Sequence, residues 1–236
     1  MKLGILIPDR NDRPEFLKNC LRMMKAQTLQ PDHIEIVNYP AESNNIDITQ
    51  RYRIGYNFFR NKGYDLIAFI ENDDYYHPEY LETMVTEWKR VGKPDLIGTN
   101  YTPYYHLGLR YWFDFKHDQR ASAMNTLIKP DLDFPWCNDS NPYTDLYLWL
   151  QVQNLTKHTF KPSFMVSIGL KHNTGLCGGI GHNDRLEMFT NRDIYYQWLR
   201  DNMDPESFSF YSKIFDFVDR NRLVSSLPVE TQKKFQ

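Results

Sequence analysis

Asp65–Leu81 reads DLIAFIENDDYYHPEYL, and this stretch decides the fold. Leu66, Ile67, Ala68, Phe69 and Ile70 form a short unbroken apolar run, the composition of a strand buried on both faces. Glu71, Asp73 and Asp74 crowd its carboxyl end, and Pro78 with Glu79 then opens a helix. In an open α/β sheet, ligands bind beyond the carboxyl ends of the strands. Oxygen ligands grouped there suit a hard divalent ion, Mg²⁺ or Mn²⁺, of the kind that carries a substrate phosphate. For an Asp-Asp pair taken alone, an acidic solvated turn that caps the helix is the plainer alternative.

The same alternation extends outward in both directions. Leu3–Pro8 reads as a strand, followed by a helix from Pro14 on which Phe16, Leu17, Cys20, Leu21 and Met24 share one face. His33–Val37 reads as a second strand. Ile48, Tyr52, Gly55 and Phe59 recur at helical spacing until Lys62-Gly63 stops them. Downstream, Leu81, Met84, Val85 and Trp88 lie along a helix that ends at Gly92-Lys93-Pro94, and Asp95–Thr99 is a further strand. Strands alternating with helices in this order predict a mostly parallel, right-handed, doubly wound sheet. Beyond it the rhythm changes. Tyr101–His117 is an aromatic stretch with a hairpin turn at Leu107-Gly108, and Ala121–Ile128 reads as a strand. Asn141-Pro142 starts a helix that runs to about Leu155. Met165–Leu170 is a strand leading into the glycine-rich Gly175–His182, and the pattern from Asn191 onward is helical. The expected anatomy is one α/β domain over Met1–Thr190 with a helical C-terminal extension over Asn191–Gln236.

Composition narrows the classes. A chain of 236 residues buries a sizeable core without staples. Its net charge of −2 supplies no global attraction to nucleic acid. The cysteines are Cys20, Cys137 and Cys177, without paired spacing, which argues against a disulfide framework or a zinc site and for a reducing, cytoplasmic setting. The apolar Met1–Pro8 is too short for a signal peptide, and no segment is long enough for a membrane span. Pro8-Asp9-Arg10-Asn11 replaces the glycine-rich turn that a dinucleotide oxidoreductase requires after its first strand.

With these pieces in order, the chain resembles the GT-A glycosyltransferases, most closely the family 2-like group. Four segments carry the resemblance, over Met1–Asp184. They are Leu3–Thr28, with Asn11-Asp12-Arg13-Pro14-Glu15 after strand one; Glu71-Asn72-Asp73-Asp74, at the place of the family's metal motif; Tyr143–Trp149, like the acceptor-side helix led by the catalytic acid; and Ile168–His172 with Gly178–His182 beyond it. Glu71 departs from the family's usual first Asp, Asn38-Tyr39 from its base-reading Asp, and Thr144 from the Glu that usually precedes the base.

The resemblance implies a Rossmann-like αβα sandwich and a transferase that moves a sugar from a nucleotide-sugar donor, a UDP-sugar first, by inverting single displacement. It implies Asp73 and Asp74 as metal ligands, with His172 or His182 as a further one, and Asp145 as general base. The donor site would be built from Pro8, Arg10, Arg13, Asn38, Arg51, Glu71, Asn72 and Asp73. The three arginines stand near strand ends where phosphates bind, although a surface ion pair suits any one of them equally well. An acid in the first turn of a helix is also favoured by the helix dipole alone, which is the bland reading of Asp145. Gly175–His182 reads as a flap over the donor, with a plain surface turn as the alternative. A glycan or glycolipid precursor is the expected acceptor, with a nucleobase or protein as alternatives, and the aromatic run Tyr101–Phe115 offers a stacking surface for it. The rival readings are a nucleotidyltransferase on a related fold and a non-catalytic sugar- or partner-binding module.

Overall fold

The computed structural model describes residues 1–40, 46–172 and 186–235. The expected first strands and helices form as β1 (Leu3–Pro8), α1 (Pro14–Lys25), β2 (His33–Val37), α2 (Ile48–Phe59) and β3 (Leu66–Phe69). Two-residue β4 (Tyr75–Tyr76) follows the acidic turn, and α3 (Tyr80–Arg90) leads to β5 (Leu96–Thr99). The hairpin is β6 (Tyr101–His106) and β7 (Tyr111–Lys116); then come β8 (Thr126–Ile128), α4 (Thr144–Leu146), β9 (Lys157–Phe160), β10 (Ser167–Lys171) and β11 (Asn191–Arg192). The chain closes with α5 (Gln197–Asp201), α6 (Pro205–Tyr211), α7 (Phe217–Ser226) and α8 (Val229–Phe235).

The fold is mixed α/β, and its central sheet is mostly parallel. The order is β2-β1-β3-β8-β5-β9. β1 pairs in parallel with β2 and β3, with Pro8 opposite Val37 and Leu6 opposite Phe69. β9 runs parallel to β5, and only β8 runs antiparallel, wedged between β3 and β5. Every residue of β1, β3 and β5 is buried, as expected of strands covered on both faces. Close approach of α2 to β1 needs glycine: a Cβ on Gly55 would lie 2.5 Å from Leu6 Cγ, and one on Gly4 would strike the Phe59 ring. The core here joins Leu6, Tyr52, Phe59, Ile67 and Phe69 to Leu148 and Trp149.

The chain divides into two compact units, Met1–Thr102 with Lys116–Ser167, and Pro103–Phe115 with Ile168–Gln236. In the second, β11, β7, β6 and β10 lie side by side. The expected boundary at Thr190 falls inside this unit. Leu109, Tyr111 and Phe113 of the hairpin share one buried cluster with Leu186, Phe189, Val224, Leu227 and Phe235. Arg220 adds a hydrogen bond from Nε to the Leu109 carbonyl at 3.3 Å, so tail and hairpin form a single body. The aromatic run is largely spent on this packing: Tyr105, Tyr111 and Phe113 are buried, and Trp112 stacks on Trp198 at 4.2 Å.

Two local expectations are corrected. Only Thr126–Ile128 of the expected strand over Ala121–Ile128 is extended, because Ala123–Asn125 coils into a 3₁₀ turn that buries Asn125. There its amide donates to Thr102 Oγ1 at 2.9 Å and its carbonyl oxygen accepts from Ser167 Oγ at 2.7 Å. The long helix expected from Asn141 to Leu155 is a single α turn, α4, continued by a π-helical stretch over Tyr147–Gln151. It ends there because Lys157 Nζ takes the carbonyls of Trp149, at 2.7 Å, and of Val152. Among the described residues, no helix is long and apolar enough to cross a membrane.

Candidate active site

β1, β2 and β3 are parallel neighbours, so the residues after Pro8, Val37 and Phe69 gather at one edge of the sheet. Asp9 is the first of them. It is buried, and its carboxylate accepts from the Asn11 amide at 3.1 Å and from Asn72 Nδ2 at 2.5 Å. Burial raises its pKa, with those two hydrogen bonds opposing.

Arg51 lies beneath this edge. Its guanidinium is 1% exposed; Nη1 donates to the carbonyls of Asp9, Val37 (3.0 Å) and Tyr39 (2.8 Å), and Nη2 to Asp47 Oδ2 at 2.8 Å. A cation so enclosed braces two strand ends. Arg10 Nη1 reaches the other oxygen of Asp47 at 3.2 Å, so Asp47 joins the two arginines. Pro8 is buried at the end of β1, and Asn38 is exposed just after β2.

The acidic turn stands on β3. Its Asp74 amide bonds back to the Glu71 carbonyl at 3.5 Å, and the Glu71 amide donates to the Tyr76 hydroxyl at 2.8 Å. One carboxylate oxygen from each of Glu71, Asp73 and Asp74 lies within 4.8 Å of the others. Three hard oxygen donors grouped this closely are chemically suited to Mg²⁺ or Mn²⁺ and not to a soft metal. Arg13 borders the cluster, with Nη1 2.6 Å from Asp73 Oδ2 and Nη2 3.3 Å from Asn72 Oδ1. Cys20 is buried close by, and burial, then the charges of Asp73, Asp74 and Asp9, keep its thiol protonated.

α2 links this cluster to a second acidic station. Tyr52 is fully buried and donates to Glu71 Oε1 at 3.4 Å. Burial, then the charges of Glu71, Asp145 and Asp74, hold its phenol far above the ordinary range, so Asp145 belongs to the same electrostatic neighbourhood. One turn earlier, Thr49 Oγ1 donates to the Asn141 carbonyl at 2.6 Å and meets the Thr144 hydroxyl. Arg53 grips Asp139 at 2.5 and 3.1 Å. α2 thus pins the loop that delivers Asp145 to the first turn of α4. Asp145 Oδ2 accepts from Arg120 Nη1 at 2.8 Å. Burial raises the Asp145 pKa, and Arg120 is the main opposing influence.

The structure brings Arg10, Arg13, Arg51, Glu71, Asn72, Asp73, Asp74 and Asp145 into one unit. His172 is fully buried directly after β10 and belongs to the second unit. His182 and the Gly175–His182 stretch lie outside the described residues. Sequence reasoning missed Asp9, Asp47, Thr49, Tyr52 and Arg120. The polar residues of α2, Thr49, Arg51 and Arg53 beside Tyr52, are the signal that could have found two of these.

No protein-family model matches the chain, and no curated protein matches it. Solved structures do. The structure of S. aureus TarS 1-349 in complex with UDP-GlcNAc superposes with a TM-score of 0.51 at 9% identity, covering 100% of this chain and 78% of TarS 1-349. Looser likenesses include A197 from STIV, with a TM-score of 0.42 and 17% identity over 68% of this chain and 82% of A197. A glycosyltransferase involved in glycosylation of the major capsid of PBCV-1 also scores 0.42, with 9% identity over 72% of this chain and 93% of that protein. At 0.42 the likeness carries no functional information. The TarS superposition shows that this chain shares the fold of TarS 1-349.

Proposed function

We propose that this protein is a metal-dependent glycosyltransferase that moves a sugar from a nucleoside-diphosphate donor, a UDP-sugar, to an acceptor hydroxyl. The observation that carries the reading is the Glu71–Asp73–Asp74 cluster at the carboxyl end of β3, in a fold like that of TarS bound to UDP-GlcNAc. Asp73 would hold Mn²⁺ or Mg²⁺, with Asp74 and Glu71 beside it; when bound, the ion supplies Lewis-acid stabilisation of the diphosphate leaving group.

The chain's own residues supply the rest. Arg13 is held at the cluster rim by Asp73 and Asn72, where it would meet the donor's phosphates. Asp145 takes the proton of the acceptor hydroxyl while the acceptor oxygen bonds the anomeric carbon. The bond from that carbon to the diphosphate oxygen breaks, and the nucleoside diphosphate leaves with the electron pair. Attack opposite the leaving group inverts the anomeric centre. A glycan or glycolipid precursor is the acceptor class.

A thermal-shift panel of nucleoside diphosphates and sugar nucleotides, with Mn²⁺ and with EDTA, tests this. Stabilisation by UDP or a UDP-sugar in Mn²⁺ and its loss in EDTA is the expected result. Equal stabilisation in both, or none by any nucleotide, contradicts it.

A further inference from the structure

We propose that Arg120 is the positioning residue for the base of this reaction, holding Asp145 Oδ2 so that Oδ1 is the oxygen presented to the acceptor hydroxyl. The inference rests on the reading of Asp145 as general base. The Arg120 and Asp145 side chains are only 18% and 17% exposed, so their 2.8 Å pair is sheltered from screening solvent. α4 is a single turn whose Asp145 and Leu146 amides also reach the carboxylate, and Arg120 is the one side chain that grips it from another segment among the described hydrogen bonds. Arg120 is suitably anchored for that task. It precedes Ala121, a fully buried member of the core, and Nη1 also reaches the Ala121 carbonyl at 3.5 Å. The residue before it, Gln119, adopts left-handed backbone with φ of 51°, a conformation that non-glycine residues take at local cost.

Charge supports the geometry. Tyr52 faces Asp145 from α2, with Glu71 and Asp74 in the same neighbourhood, while Arg120 faces it from the loop before Ala121. Burial pushes the Asp145 carboxyl toward its protonated form, in which it cannot accept a proton, and Arg120 pushes it back. His117, also beside Arg120, adds no charge near neutrality: burial and then Arg120 lower its pKa to about 3.

The test uses R120Q, R120K, D145N and the double variant R120Q/D145N of the full chain. Carboxyl ¹³C NMR, with the Asp145 resonance identified by its loss in D145N, needs no substrate. Asp145 should titrate at higher pH in R120Q than in the wild type, and R120K should restore part of the difference. Release of UDP from UDP-GlcNAc in Mn²⁺ gives the kinetic arm. R120Q should lower the rate by on the order of 10²-fold, move the acid limb of the pH profile upward, and add nothing once D145N is present. An unmoved Asp145 titration, or losses that multiply in the double variant, overturns the proposal. If D145N is slow and R120Q is not, the positioning role alone fails. If D145N keeps the full rate, the base assignment fails and the positioning role falls with it. Should R120Q not fold, R120K carries both arms, with a smaller upward shift expected and no shift overturning the proposal.

Discussion

The two acidic stations of the first unit differ in how their charge is balanced. At the end of β3, three carboxylates lie within 4.8 Å of one another beside Arg13. At the start of α4, one carboxylate meets one guanidinium at 2.8 Å. A crowd of carboxylates is tolerable when a cation joins it, because like charges at that spacing repel. A sheltered one-to-one pair needs no further ion. Under the proposed function, metal and diphosphate belong to the first station and proton transfer to the second.

The sharpest way to break this contrast is to remove one station at a time. Asp73→Ala should abolish Mn²⁺-dependent binding of UDP, read by titration calorimetry, and with it all transfer. Asp145→Asn should slow transfer by about 10²–10⁴-fold and leave UDP affinity within about twofold. If both variants lose UDP binding together, the stations are one site and the division is wrong. Because burial raises the Asp145 pKa, its carboxylate, the proposed base, is lost as pH falls through a value above the ordinary aspartate one. The acid limb of the rate profile should lie there in the wild type.

Smaller effects probe the scaffold that keeps the stations in place. Arg51→Met removes a buried cation from three carbonyls and Asp47, which should cost about 3–5 kcal/mol and appear as a lower Tm. A variant with unchanged Tm but weakened UDP binding would instead make Arg51 a phosphate ligand. Gly55→Ala should cost about 1–3 kcal/mol by forcing a methyl group against Leu6. Thr49→Val should cost about 1 kcal/mol and slow transfer more than it weakens UDP binding, since Thr49 holds the loop that carries Asp145.

Much of the first station was legible in the sequence because it depends on local signals. An apolar run announces a buried strand, and acids directly after it must emerge at the sheet edge. The second station depends on contacts between residues far apart in the chain. Arg120 and Asp145 are 25 positions apart and Thr49 and Thr144 are 95 apart, so no periodicity links them. For Arg51 the spacing locates the residue near the strand ends but does not reveal its partners, the carbonyls of Asp9, Val37 and Tyr39 and the Asp47 carboxylate. Likewise, the aromatics of Tyr101–Phe115 revealed a hairpin without revealing that tail residues such as Trp198 and Phe235 cover much of it.

Titration calorimetry of UDP into the wild-type protein, in Mn²⁺ and then in EDTA, tests the central claim most directly. Saturable binding in Mn²⁺ that disappears in EDTA is the predicted result. Binding of equal affinity in both buffers, or no binding in Mn²⁺, would contradict it.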